Sequence, residues 1–429
     1  MRIFFLFLPI FLCAQNFIAN SDLPFATGMS NGAKIFSKGI YSETLHCVFQ
    51  KSDGIYYGRS VNLGVNWTTQ FLYPGRNPSI FVSENGYRHV VWEKDTAGNS
   101  EIYYYCLDIR SPPVNISQTL GKSYLPVIAV DTYPYGIHIV WADSSFGPSR
   151  IYYRSLLGDT YQISVFAPGQ DHSYPTIGLF EGRLYVFWQA YSPTTLFPYR
   201  LYARYLERDT WSSPIVLDSS ANPLLHPSCD FTGYEGFSLG YEKYTSGNID
   251  CVFLGGNGGG YSTPGRSTYP TLSTIGSTWS YLAWMEDEAD ISLHFYYFMM
   301  GWYFRHSLRQ FLPINERVKY PNFFGAHLLW TQGDSSPYSI RHHFFGYPIG
   351  INEEKSRKAR SFLITYSLSL LYLPEPFHFA IYDITGKKVS QGFSPDGELL
   401  LNSKFKTGIY FIRIRDSGGR RDVKVTVLN

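Results

Sequence analysis

The sequence predicts an all-β fold, in which small sheets repeat along most of the chain, from three observations. Aromatic residues make up 18% of the 429 residues, with 36 Tyr and 32 Phe, and such side chains suit the half-buried surface of a pleated sheet. Gly (38) and Pro (25) are spread along the whole chain, as many short strands and tight turns require. The third observation is a repeated aromatic-centred segment.

The repeat is clearest in "HVVWEKDTAGNSEIYYYC" (residues 89–106) and "HIVWADSSFGPSRIYYRS" (residues 138–155). Alignment on the Trp brings out seven copies, spaced 43 to 53 residues apart. Their central aromatic residues, called anchors below, are Phe49, Trp92, Trp141, Trp188, Tyr241, Trp284 and Trp330. Six copies have a Pro-led apolar run before the anchor, and we expect each Pro to open a strand, where its missing N–H costs nothing.

Two further runs follow each anchor, so each copy contains four short strands with turn residues between them. Four strands cannot bury both faces of a sheet, whereas sheets packed around an axis can, with the anchors buried between neighbours. The sequence therefore predicts a seven-bladed β-propeller of four-stranded blades over residues 15–350, or a six-bladed one if the first or last copy is incomplete. Residues 16–26 could donate an edge strand to the last blade.

The first fourteen residues read as a secretory signal peptide, with Arg2 followed by an apolar run and small residues at its end. Leu12 precedes Cys13 where lipidation requires a small residue, so we do not expect a lipid anchor. No later segment is long and apolar enough to span a membrane. We therefore expect an exported protein without an integral membrane segment.

Charge and cysteine content exclude several function classes. The net charge of +2 gives no reason to expect nucleic acid as a partner. The four remaining cysteines, Cys47, Cys106, Cys229 and Cys251, lack Cys-x-x-Cys spacing, so we predict free thiols, with no metal and no cofactor. We also expect a monomer.

A polar residue lies just after each anchor, where the second strand of a blade ends. The loop that follows opens on the same face as the blade-to-blade loops, near the central channel. The seven side chains could therefore bind sugar hydroxyls, a peptide amine or a cation, although strand ends are often polar without any function. They are Gln50, Glu93, Asp143, Gln189, Glu242, Glu286 and Gln332.

A histidine recurs three residues before the anchor, at His46, His89, His138 and His327. These histidines belong to separate blades. We therefore expect hydrogen-bonded histidines within the sheets, not ligands of a shared metal.

The first copy contains "SVNLGVNW", with Ser60, Asn62, Gly64 and Trp67. This resembles the Asp-box of sialidase-like (BNR) β-propellers, with Asn in place of Asp. The resemblance implies a structural turn between the third and fourth strands of a blade. The arginine triad and early Arg-Ile-Pro-type motif of sialidases are missing from the sequence, so we predict no catalytic residues by this resemblance.

The last part of the chain reads as a separate domain. A charged linker, residues 351–361, precedes alternating strands and hairpin turns that predict a small Ig-like β-sandwich over residues 362–429. "IYDITGKKV", "TGIYFIRI" and "VKVTVL" are together similar to the type A C-terminal sorting domain of the type IX secretion system. The residues that carry the motif are Asp383, Gly386, Gly408, Tyr410 and Lys424.

The resemblance implies a Gram-negative bacterium, with the type IX secretion translocon as partner and a secreted or cell-surface location after signal-peptide cleavage. As the main function we predict a non-enzymatic module that binds a glycan or a protein. One alternative is an extracellular glycoside hydrolase of the sialidase-like superfamily, using a carboxylate pair such as Glu93 and Glu242. The other is a scaffold without a small-molecule site.

Overall fold

The computed structural model describes residues 15–429 with interruptions, and these residues divide into two compact units, up to Tyr347 and from Pro348 onward. The interruptions are residues 30, 40–41, 132–135, 165–168, 208, 233–235, 255–258, 262–264, 276–278, 298–301, 313, 346–362, 365–369, 373–376, 384–386, 395–397, 401–407, 417–418 and 428–429. The predicted signal peptide and linker lie outside the described residues.

Seven antiparallel sheets follow one another in the first unit, which begins with β1 (Asn16–Ser21). Sheet 1 contains β2 (Ile35–Phe36), β3 (Leu45–Lys51), β4 (Gly54–Ser60) and β5 (Thr68–Tyr73). Sheet 2 contains β6 (Arg76–Val82), β7 (Arg88–Thr96), β8 (Asn99–Cys106) and β9 (Val114–Asn115). Sheet 3 contains β10 (Ser123–Val130), β11 (Ile137–Asp143), β12 (Arg150–Ser155) and β13 (Thr160–Gln162).

The later sheets repeat this plan, and sheet 4 has a fifth strand. Sheet 4 contains β14 (Asp171–Phe180), β15 (Arg183–Tyr191), β16 (Tyr199–Glu207), β17 (Thr210–Trp211) and β18 (Ile215–Ser220). Sheet 5 contains β19 (Leu224–Thr232), β20 (Gly236–Tyr244), β21 (Ile249–Leu254) and β22 (Gly259–Tyr261). Sheet 6 contains β23 (Ser267–Ile275), β24 (Trp279–Glu286), β25 (Asp290–Tyr297) and β26 (Trp302–Ser307), followed by the short helix α1 (Leu308–Phe311). Sheet 7 contains β27 (Val318–Phe324), β28 (His327–Gln332) and β29 (Tyr338–Phe344), with β1 as its fourth strand.

The sheets form a closed circle through their first strands. The first strand of each sheet contacts the first strand of the next, and β27 of sheet 7 contacts β2 of sheet 1. The amino-terminal strand β1 pairs antiparallel with β29, from Asn16 opposite His342 to Ser21 opposite Tyr338. This arrangement is consistent with a β-propeller in which both ends of the unit share one sheet.

The anchors occupy equivalent places, as predicted for core residues. Each lies in the second strand of its sheet, and all seven are between 0% and 1% exposed. In sheets 1 to 4 the residue opposite the anchor on the third strand is a Tyr, for example Tyr103 opposite Trp92 and Tyr202 opposite Trp188. The Trp188 and Tyr202 rings stack with their centroids 5.6 Å apart. Cross-strand aromatic pairs of this kind stabilise a sheet.

The recurring histidines explain the second Tyr of each "IYY" run. His46, His89 and His138 each share a hydrogen bond through Nδ1 with the hydroxyl of a Tyr on the third strand of the same sheet. These Tyr partners are Tyr57 at 2.6 Å, Tyr104 at 2.9 Å and Tyr153 at 2.9 Å. In sheet 7 the partner of His327 Nδ1 is His342 Nε2, at 3.1 Å. The histidines are therefore satisfied within their own sheets.

The position of the prolines differs from the prediction. Pro78 is the third residue of β6, and the other five repeat prolines also lie inside their strands, where the pairing register shifts. The unpaired residues of a bulge give up ladder hydrogen bonds. A proline without an N–H is therefore accommodated there as easily as at a strand start.

The second unit contains two small sheets. A five-stranded sheet has the order β30 (Leu363–Ile364), β36 (Gly419–Val427), β35 (Gly408–Asp416), β32 (Phe377–Asp383) and β33 (Lys388–Ser394). A second sheet pairs β31 (Leu370–Tyr372) with β34 (Glu398–Leu400).

The sorting-motif residues are distributed over the five-stranded sheet. Asp383 ends β32, and its Oδ1 accepts the Lys387 backbone N–H at 3.0 Å. Gly408 and Tyr410 lie in β35, and Lys424 lies in β36. Gly386 lies outside the described residues.

Buried neutral histidines predict that acid destabilises the first unit. Burial lowers the pKa of His46, His89 and His343 to about 4, and that of His327 to about 3. Because these values lie below the unfolded value near 6.5, the unfolded chain binds more protons as the pH falls. The free energy of unfolding should therefore be unaffected by these groups above about pH 6.5 and decrease below it, by up to about 1.4 kcal/mol per pH unit for each histidine.

Denaturant unfolding followed by tryptophan fluorescence between pH 7.5 and 4.5 measures this dependence. A His89→Asn variant should show a shallower decrease than the native protein. A free energy of unfolding that stays constant over this range would contradict the assignment.

Candidate functional site

The first strand of sheets 2 to 7 is kinked at the same place. The residue before each repeat proline has a positive φ, between 49° and 54°, in the left-handed region. Both the side chain and the following proline disfavour this conformation, at a cost on the order of 1–3 kcal/mol for each residue. The six residues are Asn77, Leu125, Tyr174, His226, Tyr269 and Tyr320.

Four of the predicted polar residues form hydrogen bonds to the left-handed residue of the next sheet. Each follows its anchor directly, is 9% exposed or less, and accepts the backbone N–H of the left-handed residue in the next sheet. The pairs are Gln50 Oε1 with Asn77 at 2.7 Å, Glu93 Oε1 with Leu125 at 2.7 Å, Gln189 Oε1 with His226 at 2.8 Å, and Glu242 Oε1 with Tyr269 at 2.7 Å. From sheet 7 to the chain entering sheet 1, Thr331 Oγ1 accepts the Thr27 N–H at 3.1 Å. These contacts are called the inter-sheet hydrogen bonds below.

The other three predicted polar residues lie two positions after their anchors. Their side chains are therefore on the same face of the strand as the anchor, opposite the face used by the first four. They bond mainly within their own sheets. Asp143 Oδ2 accepts Ser123 Oγ at 2.6 Å, Glu286 Oε2 accepts Trp284 Nε1 at 2.8 Å, and Gln332 Oε1 accepts Trp330 Nε1 at 3.2 Å. The seven residues therefore form two sets with different partners, and the ligand-binding role predicted for them as one ring stays a prediction.

Four of the kinked residues bring aromatic rings together. Tyr174, His226, Tyr269 and Tyr320, called the aromatic arc below, belong to the successive sheets 4 to 7 and are all half-buried. Neighbouring rings lie with their centroids 4.5 Å, 4.4 Å and 4.9 Å apart, and His226 stacks on Tyr269. Sequence reasoning missed these residues, although the run "YP", "HP", "YP", "YP" in four successive copies was a visible signal.

A buried carboxylate lies against the imidazole of the arc. His226 Nδ1 and Glu242 Oε1 are 2.5 Å apart, and the side chains are 13% and 1% exposed. The same Oε1 accepts the Tyr269 N–H, and Oε2 has no hydrogen-bond partner among the described residues. A buried carboxylate with one free oxygen is costly unless a positive charge can form beside it. Glu242 Oε1 can accept a hydrogen bond from the Nδ1–H of His226 and so fix the orientation of the imidazole.

A second carboxylate, Glu93, is also buried, and both of its oxygens have partners. Its Oε2 lies 2.8 Å from Arg76 Nε, and its Oε1 also accepts Asn77 Nδ2 at 2.7 Å. Burial raises the pKa of Glu93, while the hydrogen bonds from Leu125 and Asn77 and the charge of Arg76 oppose that increase. Burial also raises the pKa of Tyr174, and the charges of Glu242 and Glu93 add to the increase. Tyr174 therefore stays protonated near two carboxylates.

The segment before sheet 1, which contains Asn31 and Lys34, contacts several sheets on the inside of the circle of sheets. Asn31 Nδ2 donates to the Pro175 carbonyl at 3.0 Å, the Lys34 N–H donates to Asn322 Oδ1 at 2.8 Å, and Lys34 Nζ donates to the Pro78 carbonyl at 2.5 Å. These partners belong to sheets 4, 7 and 2. Burial lowers the pKa of Lys34 to about 7, and the charge of Glu93 opposes this decrease. The segment therefore ties distant sheets together across the axis.

The Asp-box-like turn contacts sheet 7. Ser60 Oγ accepts the Gly64 N–H at 2.9 Å, Asn62 Oδ1 accepts the Asn66 N–H at 2.9 Å, and Trp67 Nε1 donates to the Gly64 carbonyl at 2.9 Å. The Trp67 ring meets the buried His342 ring edge-on, with the centroids 5.4 Å apart. The turn therefore packs where the first and last sheets meet.

Comparison with known proteins gives structural neighbours only. No protein-family model matches the chain, and no curated protein matches it. The polysaccharide lyase Uly1 is similar over 80% of this chain and 94% of its own, with 10% identity and a TM-score of 0.48. An α-L-arabinanase of Penicillium chrysogenum complexed with arabinobiose is similar over 77% and 98%, with 11% identity and a TM-score of 0.46. The α-L-arabinofuranosidase Arb93A of Fusarium graminearum is similar over 77% and 98%, with 10% identity and a TM-score of 0.43.

These neighbours correct the main functional prediction. All three are enzymes that process glycans, contrary to the prediction of a non-enzymatic glycan- or protein-binding module. At such low identity the likeness concerns the fold alone. Among the described residues no group of three or more His, Cys, Asp or Glu could hold a metal ion, and no helix is long and apolar enough to cross a membrane.

A Gly64→Ala substitution should destabilise the seam between sheets 1 and 7. Gly64 has a φ of +84°, and an added Cβ would lie 2.1 Å from His342 Cε1. We expect the free energy of unfolding to decrease by about 1–2 kcal/mol for the backbone conformation and by about 1–3 kcal/mol more for the overpacking.

The matched control is Gly86→Ala, because Gly86 has a φ of +88° with no atom within 4 Å of the added Cβ. It should show the backbone cost only. Equal losses for the two variants in denaturant unfolding would argue against the contact with His342.

Proposed function

We propose that this protein is an exported glycan-processing enzyme, a seven-bladed β-propeller that cleaves glycosidic bonds at the aromatic arc. The observation that carries the proposal is the His226–Glu242 pair, a half-buried imidazole held at 2.5 Å by a fully buried carboxylate. The seven sheets and the contact of β27 with β2 support the proposed count of seven blades.

The arc has the composition of a saccharide-binding surface. Ligand sites are concave, largely aromatic, and contain a few well-placed polar groups. Tyr174, His226, Tyr269 and Tyr320 present rings, hydroxyls and one imidazole, near the start of each first strand. The second strands end at the same edge of the sheets, because first and second strands pair antiparallel, as Leu225 opposite Glu242 illustrates.

The His226–Glu242 pair supplies a proton acceptor. With Nδ1–H donating to Glu242 Oε1, the lone pair of the neutral ring is on Nε2. The carboxylate fixes this tautomer and stabilises the imidazolium that forms when Nε2 takes a proton. Such an arrangement suits a general base, whose removal typically slows a reaction about 10²- to 10⁴-fold.

The termini support export. Arg2 and the apolar run after it are typical of a signal peptide, and the motif of Asp383, Gly386, Gly408, Tyr410 and Lys424 resembles a type IX sorting domain. We propose that the translocon of that system is the partner of residues 362–429 and that the protein is secreted or held at the cell surface. An extracellular location is one in which a glycan-cleaving enzyme would meet polymeric substrate.

Substitution of the proton-transfer pair should abolish activity without unfolding the protein. A panel of plant, algal and bacterial polysaccharides, assayed by new reducing ends, should show at least one substrate. His226→Ala should lower kcat on it about 10²-fold or more. Glu242→Gln should also lower kcat, while its amide oxygen can still accept the Tyr269 N–H.

The control is Glu84→Gln, an exposed carboxylate in the turn between β6 and β7, which should keep native activity. Full activity of His226→Ala would refute the proposed site. Failure of the native protein on every polymer would refute the enzymatic function.

Deletion of residues 362–429 should leave the protein in the periplasm of a host with a type IX secretion system. Cell fractionation with an antibody against the first unit gives the measurement. Fusion of residues 362–429 to an unrelated periplasmic protein should carry that protein to the surface. Unchanged export of the truncated chain would rule out the sorting role.

A further inference from the structure

The two carboxylates whose charges act on Tyr174, Glu242 and Glu93, are shielded from a bound saccharide. The side chains of Glu242 and Glu93 are 1% and 2% exposed. The oxygens of Glu93 already accept Leu125 N–H and Asn77 Nδ2 and pair with Arg76. Hydrolysis by the usual pair of carboxylates needs one at the glycosidic oxygen and the other at the anomeric carbon or its attacking water. Both carboxylates are too buried to take such a position, and a shift of either side chain toward the surface would break its inter-sheet hydrogen bond.

The groups that a ligand at the arc can reach are different ones. His226 is 13% exposed in its side chain, and Tyr174, Tyr269 and Tyr320 are half-buried. Burial raises the pKa of all three tyrosines. They are therefore phenols and hydrogen-bond donors over the whole physiological pH range. The arc thus combines one imidazole with several phenols, and two of the tyrosine rings contact the imidazole directly.

We propose that the reaction at the arc is a β-elimination and that the substrate is a polysaccharide containing 4-linked uronic acid residues. This inference rests on the proposed function and names its chemistry. An imidazole and a phenol suffice for elimination, whereas hydrolysis needs a pair of carboxylates. Of the three carboxylates whose charges act on the arc tyrosines in the described part of the chain, Glu242 and Glu93 are buried and Glu288 alone is exposed. The substrate class follows from the reaction, because only a carboxyl group next to C5 makes the C5 hydrogen acidic enough for a histidine base.

The step is balanced without any further reactant. His226 Nε2 takes the C5 proton, and the electron pair of that C–H bond forms the C4–C5 double bond. The C4–O bond breaks, and its oxygen takes a proton from the hydroxyl of Tyr174 or Tyr269, the two rings that contact His226. Return of the proton from the imidazolium to the phenolate restores both groups. The charge of Glu242 stabilises the imidazolium, and the remaining tyrosine hydroxyls can donate to the uronate carboxyl.

The test compares uronate-containing polymers, such as polygalacturonate, alginate and a glucuronate-containing glycan, with neutral polymers such as arabinan and galactan. The native full-length protein should release products from a uronate polymer that absorb in the ultraviolet as unsaturated uronates. Their masses should each be lower by one water than those of hydrolysis products. Chemical reduction of the carboxyl groups of that polymer should abolish cleavage.

Substitutions of the proposed base and of the proposed acids test their roles separately. His226→Ala should abolish product formation, and Tyr174→Phe or Tyr269→Phe, whichever removes the acid, should lower kcat about 10²-fold or more with little change in KM. Thermal unfolding of each variant reports whether the fold is kept. The exposed Glu84→Gln variant should behave as the native protein.

The outcomes distinguish this inference from the proposed function. Products of hydrolytic mass, or cleavage confined to neutral polymers, would overturn the elimination while leaving a glycan-processing enzyme in place. No cleavage of any polymer would overturn both. Unsaturated products lost in His226→Ala, together with slow turnover in one of the two tyrosine variants, would support the elimination.

Discussion

The inter-sheet hydrogen bonds are the constraint on which the rest of the structure depends. A left-handed residue before proline is strained, and its buried N–H would cost about 1–3 kcal/mol if it had no partner. The side chain that follows the anchor of the preceding sheet supplies that partner, at 2.7–2.8 Å in four places. One interaction therefore joins neighbouring sheets, and at His226 and Tyr269 it also fixes the backbone of two residues of the aromatic arc.

Within each sheet, contacts between aromatic residues join the second and third strands. The first Tyr of "IYY" lies opposite the anchor, as Tyr103 lies opposite Trp92. The second Tyr shares a hydrogen bond with the histidine three residues before the anchor, as Tyr104 does with His89. These contacts are made by residues of one copy of the repeat. They form when a sheet forms, whereas the bonds from Glu93 or Glu242 need the next sheet in place.

Glu242 shows how the fold and the candidate site share residues. Its Oε1 accepts the Tyr269 backbone N–H, which belongs to the fold, and lies against His226 Nδ1, which belongs to the site. In sheets 1 and 2 the equivalent Gln50 and Glu93 make the inter-sheet hydrogen bond, and the residues they hold are Asn77 and Leu125. The same bond thus supports chemistry only where the held residue carries a reactive ring, as His226 in sheet 5 and Tyr269 in sheet 6 do.

The sequence by itself determined the strands, the seven anchors and their burial, because a repeat of 43 to 53 residues with alternating strands records contacts made inside each sheet. It also indicated that residues 16–26 could close the circle, which β1 does by pairing with β29. Only the tertiary structure divided the seven polar residues into two sets and brought Tyr174, His226, Tyr269 and Tyr320 together. Those residues lie in four successive copies of the repeat, and their contacts exist only once sheets 4 to 7 pack side by side with the same left-handed residue in each first strand.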